Sequence, residues 1–175
     1  MTKQELKKQI LRNRSIDHWH SIIEGILQSP RLFSNLIDYA YDPDEVLSFR
    51  ASWIMDKCSE QHPYLLDQTK IAKIIKNAIK HPNPSVTRAS LRLLSRESAP
   101  RSAQGALVSQ CFIWLASNSS AIAVKVHALQ ILCNEALKEP DLKNELIQVI
   151  EGQIPIGSAA FKARASMVLK KLEKI

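Results

Sequence analysis

Glycine is scarce in this chain, with only four in 175 residues, and no stretch alternates apolar and polar residues over strand length. Those two absences argue against a sheet-based fold and leave the helical period as the dominant one. Cysteine is scarce too. Cys58, Cys111 and Cys133 are an odd number without a Cys-x-x-Cys pair, each inside an apolar helical pattern, and they read as reduced core residues rather than a disulfide framework. No apolar run approaches the roughly 18 residues of a membrane span. The first residues, Met-Thr-Lys-Gln-Glu-Leu-Lys-Lys, lack the apolar core of a secretory signal, so the expected location is cytoplasmic. Gly-rich phosphate loops, Gly-x-Ser-x-Gly and His-Glu-x-x-His are all missing. His18 and His20 flank Trp19 at i, i+2, on nearly opposite sides of a helix, a poor arrangement for a shared metal. Hence no catalytic residue, metal ligand or cofactor is expected, and the chain reads as non-enzymatic.

What is present is amphipathic helix. Apolar residues make up 45% and charged residues 23% of the chain, an ordinary globular composition, and this length suffices to bury about 70% of the unfolded surface. One domain over 1–175 is therefore expected. Helical spacing defines ten helices, the first carrying Leu6, Ile10 and Leu11, the second Trp19, Ile22, Ile23, Ile26 and Leu27 with Ser15 as its N-cap. Four pairs follow. Leu32 to Ala40 precede a helix over 45–60, and Ile71 to Ile79 precede one reaching about Ser98. Leu107 to Leu115 precede one reaching Leu137, and Leu142 to Ile150 precede a basic helix from about Ala159. Each break holds Pro, Gly, Asn, Asp or Ser, residues that stop or cap helices.

The pairs repeat. Ala51, Ala89, Ala128 and Ala165 recur at nearly constant spacing, three of them inside the triplet Arg-Ala-Ser. Four residues on stand Met55, Leu93, Leu132 and Leu169, one turn along the same face. The first helices agree, with Ile37, Ile75, Phe112 or Ile113, and Ile150 at a similar period. A small residue at a fixed place lets helices approach closely, so the alanine column is read as packing. Two helices per period of about 38 residues, Pro with Asp or Asn in the intervening turn, and Val86-Thr87-Arg88-Ala89 opening a second helix together resemble the HEAT-repeat family. The armadillo pattern is the near alternative, but no short third helix is visible per unit. The resemblance implies an all-α, α-α superhelix (solenoid) of about four helical hairpins, at about 31–67, 68–101, 102–140 and 141–175, after an N-terminal helical cap at 1–30. The last hairpin departs from the pattern, since its turn has Pro155 and Gly157 but no Asp or Asn.

Two readings of the arginine column stay open. In the family resembled, a basic residue opening the second helix pairs with an acidic or amide residue of the turn, a role open here to Asp42 or Asp44, Asn83 and Asn118. In the other reading, the column and the positions three and seven further on line the inner face of the solenoid and grip a protein or peptide. That face comprises Arg50, Trp53, Lys57, Arg88, Arg92, His127, Gln130, Asn134 and Arg164, with Leu91, Ser95, Met167 and Lys171 at equivalent positions. Charge adds a competitor. Residues 68–101 carry eight basic side chains and one acidic, whereas 15–67 carry three basic and nine acidic. Lys73, Lys76 and Lys80 share one helix face, and Arg88, Arg92 and Arg96 run at i, i+4, i+8, where like charges repel. A nucleic-acid backbone is one compensating anion; Glu60, Asp67 or Glu97 are the internal ones. Some HEAT-like proteins are DNA glycosylases acting on alkylated bases. Such chemistry needs aromatics and a carboxylate around a nucleotide, and here Trp19, Trp53 and Trp114 lie in three helices with only Asp56 near Trp53.

Overall fold

The computed structural model describes residues 1–12 and 15–174. Ile175, the end of the last expected hairpin, lies outside the described residues. Among those described, ten α-helices carry the fold: α1 (Lys3–Arg12), α2 (Ile16–Gln28), α3 (Arg31–Ala40), α4 (Glu45–Gln61), α5 (Gln68–Lys80), α6 (Pro84–Leu94), α7 (Arg101–Ala116), α8 (Ile122–Ala136), α9 (Lys143–Gln153) and α10 (Ala159–Leu172). The expected number of helices is realised among the described residues. One-turn 3₁₀ segments at Pro63–Leu65 and Pro140–Leu142 fill two of the connections.

The helix starts follow from local chemistry. Thr2 and Glu5 form a reciprocal capping box at α1, the Glu5 amide donating to Thr2 Oγ1 at 3.2 Å and the Thr2 amide to Glu5 Oε2 at 2.7 Å. Ser15 caps α2 as anticipated, accepting from the His18 amide. Asp44, Asp67 and Ser158 do the same at α4, α5 and α10, each satisfying amides that have no partner within the helix. Pro84 opens α6 at the position where a missing N–H costs nothing, and the preceding Asn83 accepts from the Ser85 amide at 2.9 Å. The α6 helix stops at Leu94, four residues short of the expected Ser98. Pro100 holds Ala99 out of helical geometry, and the chain spends the intervening residues on a turn closed by the Glu97 amide on the Leu94 carbonyl.

The chain forms two compact units, Met1–Leu93 and Leu94–Ile175. In the first, α3 packs on α4, α1 lies against both, α2 touches α1, α3 and α4, and α5 adds to α3. Its apolar interior includes Leu6, Ile10, Phe33, Leu36, Ile37, Leu47, Ile54 and Met55, all fully buried. In the second, α7 packs on α8 and α9, while α10 packs on α8 and α9. Leu107, Cys111, Leu115, Leu132, Leu146, Ile150 and Phe161 fill that interior.

The alanines behave as packing residues: Ala51, Ala128 and Ala165 are wholly buried and Ala89 is 4% exposed. Met55, Leu93 and Leu132, one turn on, are buried as well, whereas Leu169 is only half-buried. In α7 the first-helix column slips by one residue. Cys111 takes the buried place and Ile113 is 59% exposed, because a position two residues on points to nearly the opposite side of a helix. Replacing Ala89 by Leu should overpack this layer and cost about 1 to 3 kcal/mol. An unchanged thermal midpoint in that variant would contradict the packing assignment. The three cysteines are buried and free. Burial pushes the Cys58 thiol up to about 12 and raises Cys111 and Cys133 likewise, leaving little reactive thiolate.

Candidate functional site

The second helices present the polar residues singled out by the sequence, and the structure divides them sharply. Arg50, midway along α4, points its guanidinium at the end of α1: Nη1 donates to the carbonyls of Ile10 at 3.1 Å and Leu11 at 2.6 Å. Those carbonyls lack partners within α1, so Arg50 caps a helix C-terminus, a role in which its charge also suits the helix dipole. Among the described residues, Arg50, Arg88 and Arg164 form no ladder to the inter-helix turns. Asp44 is occupied as the cap of α4, Asp42 Oδ1 accepts from the Asp44 amide at 3.0 Å, and Asn83 is bonded to Ser85. The turn residues satisfy the turns themselves.

One of the two arginines of α6 meets internal anions. Arg92 bridges two carboxylates of α4, Nη1 to Asp56 at 2.7 Å and Nη2 to Glu60 at 2.6 Å. Glu60 also binds Lys57 at 2.8 Å. Glu60 was among the counter-charges expected; Asp56, only 2% exposed, is the stronger one. Of the cations on α5, Lys73 pairs with Asp38 of α3, while Lys76 and Lys80 are exposed and make no ion pair among the described residues. The lysine row thus addresses α3 and the arginine row α4, so the six cations of 73–96 do not form one track. Arg96 is likewise engaged. Arg88 is different: half-buried, one turn before Arg92, it has no hydrogen bond or ion pair among the described residues. Leu91 is fully buried, opposite Ala89 on a helix enclosed along both flanks, and so does not line a groove.

Beside these groups lies an apolar stripe that the sequence reading missed. Val46 is 46% and Phe49 38% exposed, and with half-buried Trp53 they follow one another at i, i+3, i+7 along α4. Trp53 meets Trp19 of α2, ring centroids 4.0 Å apart and planes tilted by 49°. The signal was legible in principle. The α4 helix already spends Leu47, Ala51, Ile54, Met55 and Cys58 on the core, so Val46, Phe49 and Trp53 are a surplus on its other side. Helices that are apolar all round bury both faces, one of them against something else.

In the second unit the candidate residues are wired together. Arg164 Nη1 donates to Gln130 Oε1 at 2.9 Å, Gln130 Nε2 to Asn134 Oδ1 at 2.8 Å, and Asn134 Nδ2 to the Ser95 carbonyl at 2.9 Å. His127 is half-buried and engaged. This chain ties α10 to α8 and leaves those side chains little capacity for a partner. Glu135, 3% exposed, is held by Gln104 and by Lys138 at 2.9 Å.

The three tryptophans do not converge on a carboxylate: Trp19 and Trp53 stack on each other, and Asp56 is taken up by Arg92. No group of three or more His, Cys, Asp or Glu with metal-binding geometry occurs among the described residues, and no described helix is long and apolar enough to cross a membrane. No curated protein and no solved structure is significantly similar to the chain. The model of the HEAT repeat domain family matches residues 3–172, nearly the whole of the all-α hairpin array just described, and the chain belongs to that family.

Proposed function

We propose that this chain is a non-enzymatic, cytoplasmic binding module whose partner is a protein or peptide, seated on the exposed flank of α4. The observation that carries this reading is the second apolar stripe, Val46, Phe49 and Trp53 with Trp19 beside it, on the helix whose Asp56 and Glu60 receive Arg92, one turn from Arg88, a cation with no ion pair among the described residues. Exposed contiguous aromatics cost free energy in water unless a partner covers them, and aromatic and arginine side chains dominate binding energy at interfaces. Arg88 leans the choice toward a partner with a carboxylate beside a large apolar side chain. Members of the HEAT family generally serve as protein-interaction scaffolds, which agrees with this reading. The contact set contracts accordingly, to Phe49, Trp53, Trp19, Lys57 and Arg88. Arg50, Arg92, Gln130, Asn134 and Arg164 take structural roles.

The test is selection from a random peptide library on the wild-type chain, on Arg88→Glu and on Phe49→Ser. Wild type should enrich acidic sequences with one or more aromatic or long aliphatic residues. Arg88→Glu should lose the acidic preference, and Phe49→Ser should weaken recovered peptides about tenfold or more. Identical enrichment by all three would remove the α4 face from the function. The competing nucleic-acid reading rests on Lys76, Lys80 and Arg88 alone once their paired neighbours are set aside. Retention on immobilised DNA well above physiological salt would favour it.

A further inference from the structure

In the second unit, the turns joining α7 to α8 and α9 to α10 border a cavity of about 510 Å³, within the range of small-ligand sites. Lys125 of α8 stands in its wall. Its ammonium donates to Gln153 Oε1 at 2.6 Å, and the Gln153 amide is itself oriented by donating to the Ala116 carbonyl at 3.0 Å. The lysine is therefore held in one place by a neutral group, with two of its three N–H donors left over. Asn118, Ser120 and Ser158 complete the polar lining, and no lining residue is a carboxylate. Burial lowers the Lys125 pKa, as expected for a cation drawn from water without a counter-charge. The remaining walls are apolar: Phe161 is a buried floor, while Ile122 and Ile156 are 52% and 64% exposed at the rim. Gly157 keeps the turn close to that floor, since a Cβ there would come within 2.6 Å of the Phe161 ring.

We propose that this cavity binds a small carboxylate bearing a branched aliphatic group, the Lys125 ammonium holding the carboxylate and Ile122, Ile156 and Phe161 covering the aliphatic part. One ammonium with hydroxyl and amide neighbours matches a monoanion. A phosphate dianion would call for an arginine fork or a second cation. The apolar rim excludes a bare anion, which gains nothing from covering isoleucine. The corresponding cavity of the first unit, about 450 Å³, is lined by Asp42, Glu45 and His81 and by no lysine or arginine, so it serves as an internal control. This site does not depend on the α4 face.

The shared chemistry has two sources, a free branched-chain acid or the C-terminal residue of a peptide. The full chain, labelled for amide NMR, is titrated with 4-methylpentanoate in one arm and acetyl-Ala-Ala-Leu in the other, each beside its carboxamide. The expected result is saturable shifts at Gly157, Ser158 and Lys125 in at least one arm, with the carboxamide about tenfold or more weaker. Saturation by the peptide alone assigns the site to chain ends, and saturation by the free acid assigns it to small acids. Lys125→Met should weaken binding to the level of the carboxamide, and Glu45→Gln should leave it unchanged. If Lys125→Met does not fold, the acid and carboxamide comparison on the wild-type chain decides alone. Equal binding of acid and carboxamide, shifts confined to other residues, or no saturation in either arm overturns the proposal.

Discussion

Arg92→Met should lower the stability of the first unit by about 3 kcal/mol, the lower end of the range for breaking a buried ion pair. The low end applies because the two ends of the contact differ in exposure: the Asp56 side chain is 3% exposed, that of Arg92 32% and that of Glu60 36%. Solvent screens the Glu60 arm, and Lys57 remains on it. The cost therefore falls on Asp56, a carboxylate in a dry place deprived of its guanidinium. Asp56→Leu in the same chain should return much of the loss, since apolar residues replacing both partners remove the buried charge. Urea unfolding reads this through Trp19 and Trp53, provided Trp114 is changed to Phe so that only the first unit reports. Losses that simply add in the double variant would mean that the pair is not coupled.

The fate of the arginine column marks the limit of what the sequence disclosed. Periodicity placed all ten helices, and the alanine column was assigned correctly because packing acts on positions that recur every repeat. Side-chain partners do not recur in that way. Arg50 and Arg164 occupy equivalent places, yet one caps α1 and the other bonds Gln130. Each long side chain takes the nearest acceptor supplied by the preceding helices, and those helices differ in sequence. Arg88 has no ion pair among the described residues for the same reason: the residue that would meet it is not dictated by the period. Sequence counting found the charge excess of 68–101 but not its distribution, because Lys73 to Asp38 and Arg92 to Asp56 each span more than thirty residues of chain.

The cavity beside Lys125 was equally out of reach, and for a different cause. Its walls come from two turns and three helices that are remote in sequence, and its one cation stands in a stretch, 102–151, that is acidic in sum. Regional charge describes how the chain attracts partners at a distance; a single lysine held by a neutral amide describes what a site prefers at contact. The α4 stripe lies between these cases. Its spacing was visible, but only the burial of the opposite stripe shows that it is surplus.

Phe33→Ala should be the most damaging single change in the first unit, costing about 3 to 5 kcal/mol. Phe33 is fully buried on α3, the helix of that unit in contact with α1, α2, α4 and α5. Removing its ring opens space bounded by several elements at once, and the surrounding side chains cannot close it by moving one helix. A mere loss of aromatic character is not the issue, so Phe33→Leu should cost only about 1 kcal/mol, as a near volume-conserving exchange. The alanine column supplies the opposite case: there a larger residue harms, here a smaller one does. Both follow from a fixed spacing between helices set by large side chains on the first helix of a hairpin and small ones on the second. The midpoint of urea unfolding in the Trp114→Phe background measures both variants. A Phe33→Ala loss no greater than that of Phe33→Leu would show that the site collapses around the smaller residue, and the spacing would then be set elsewhere in the unit.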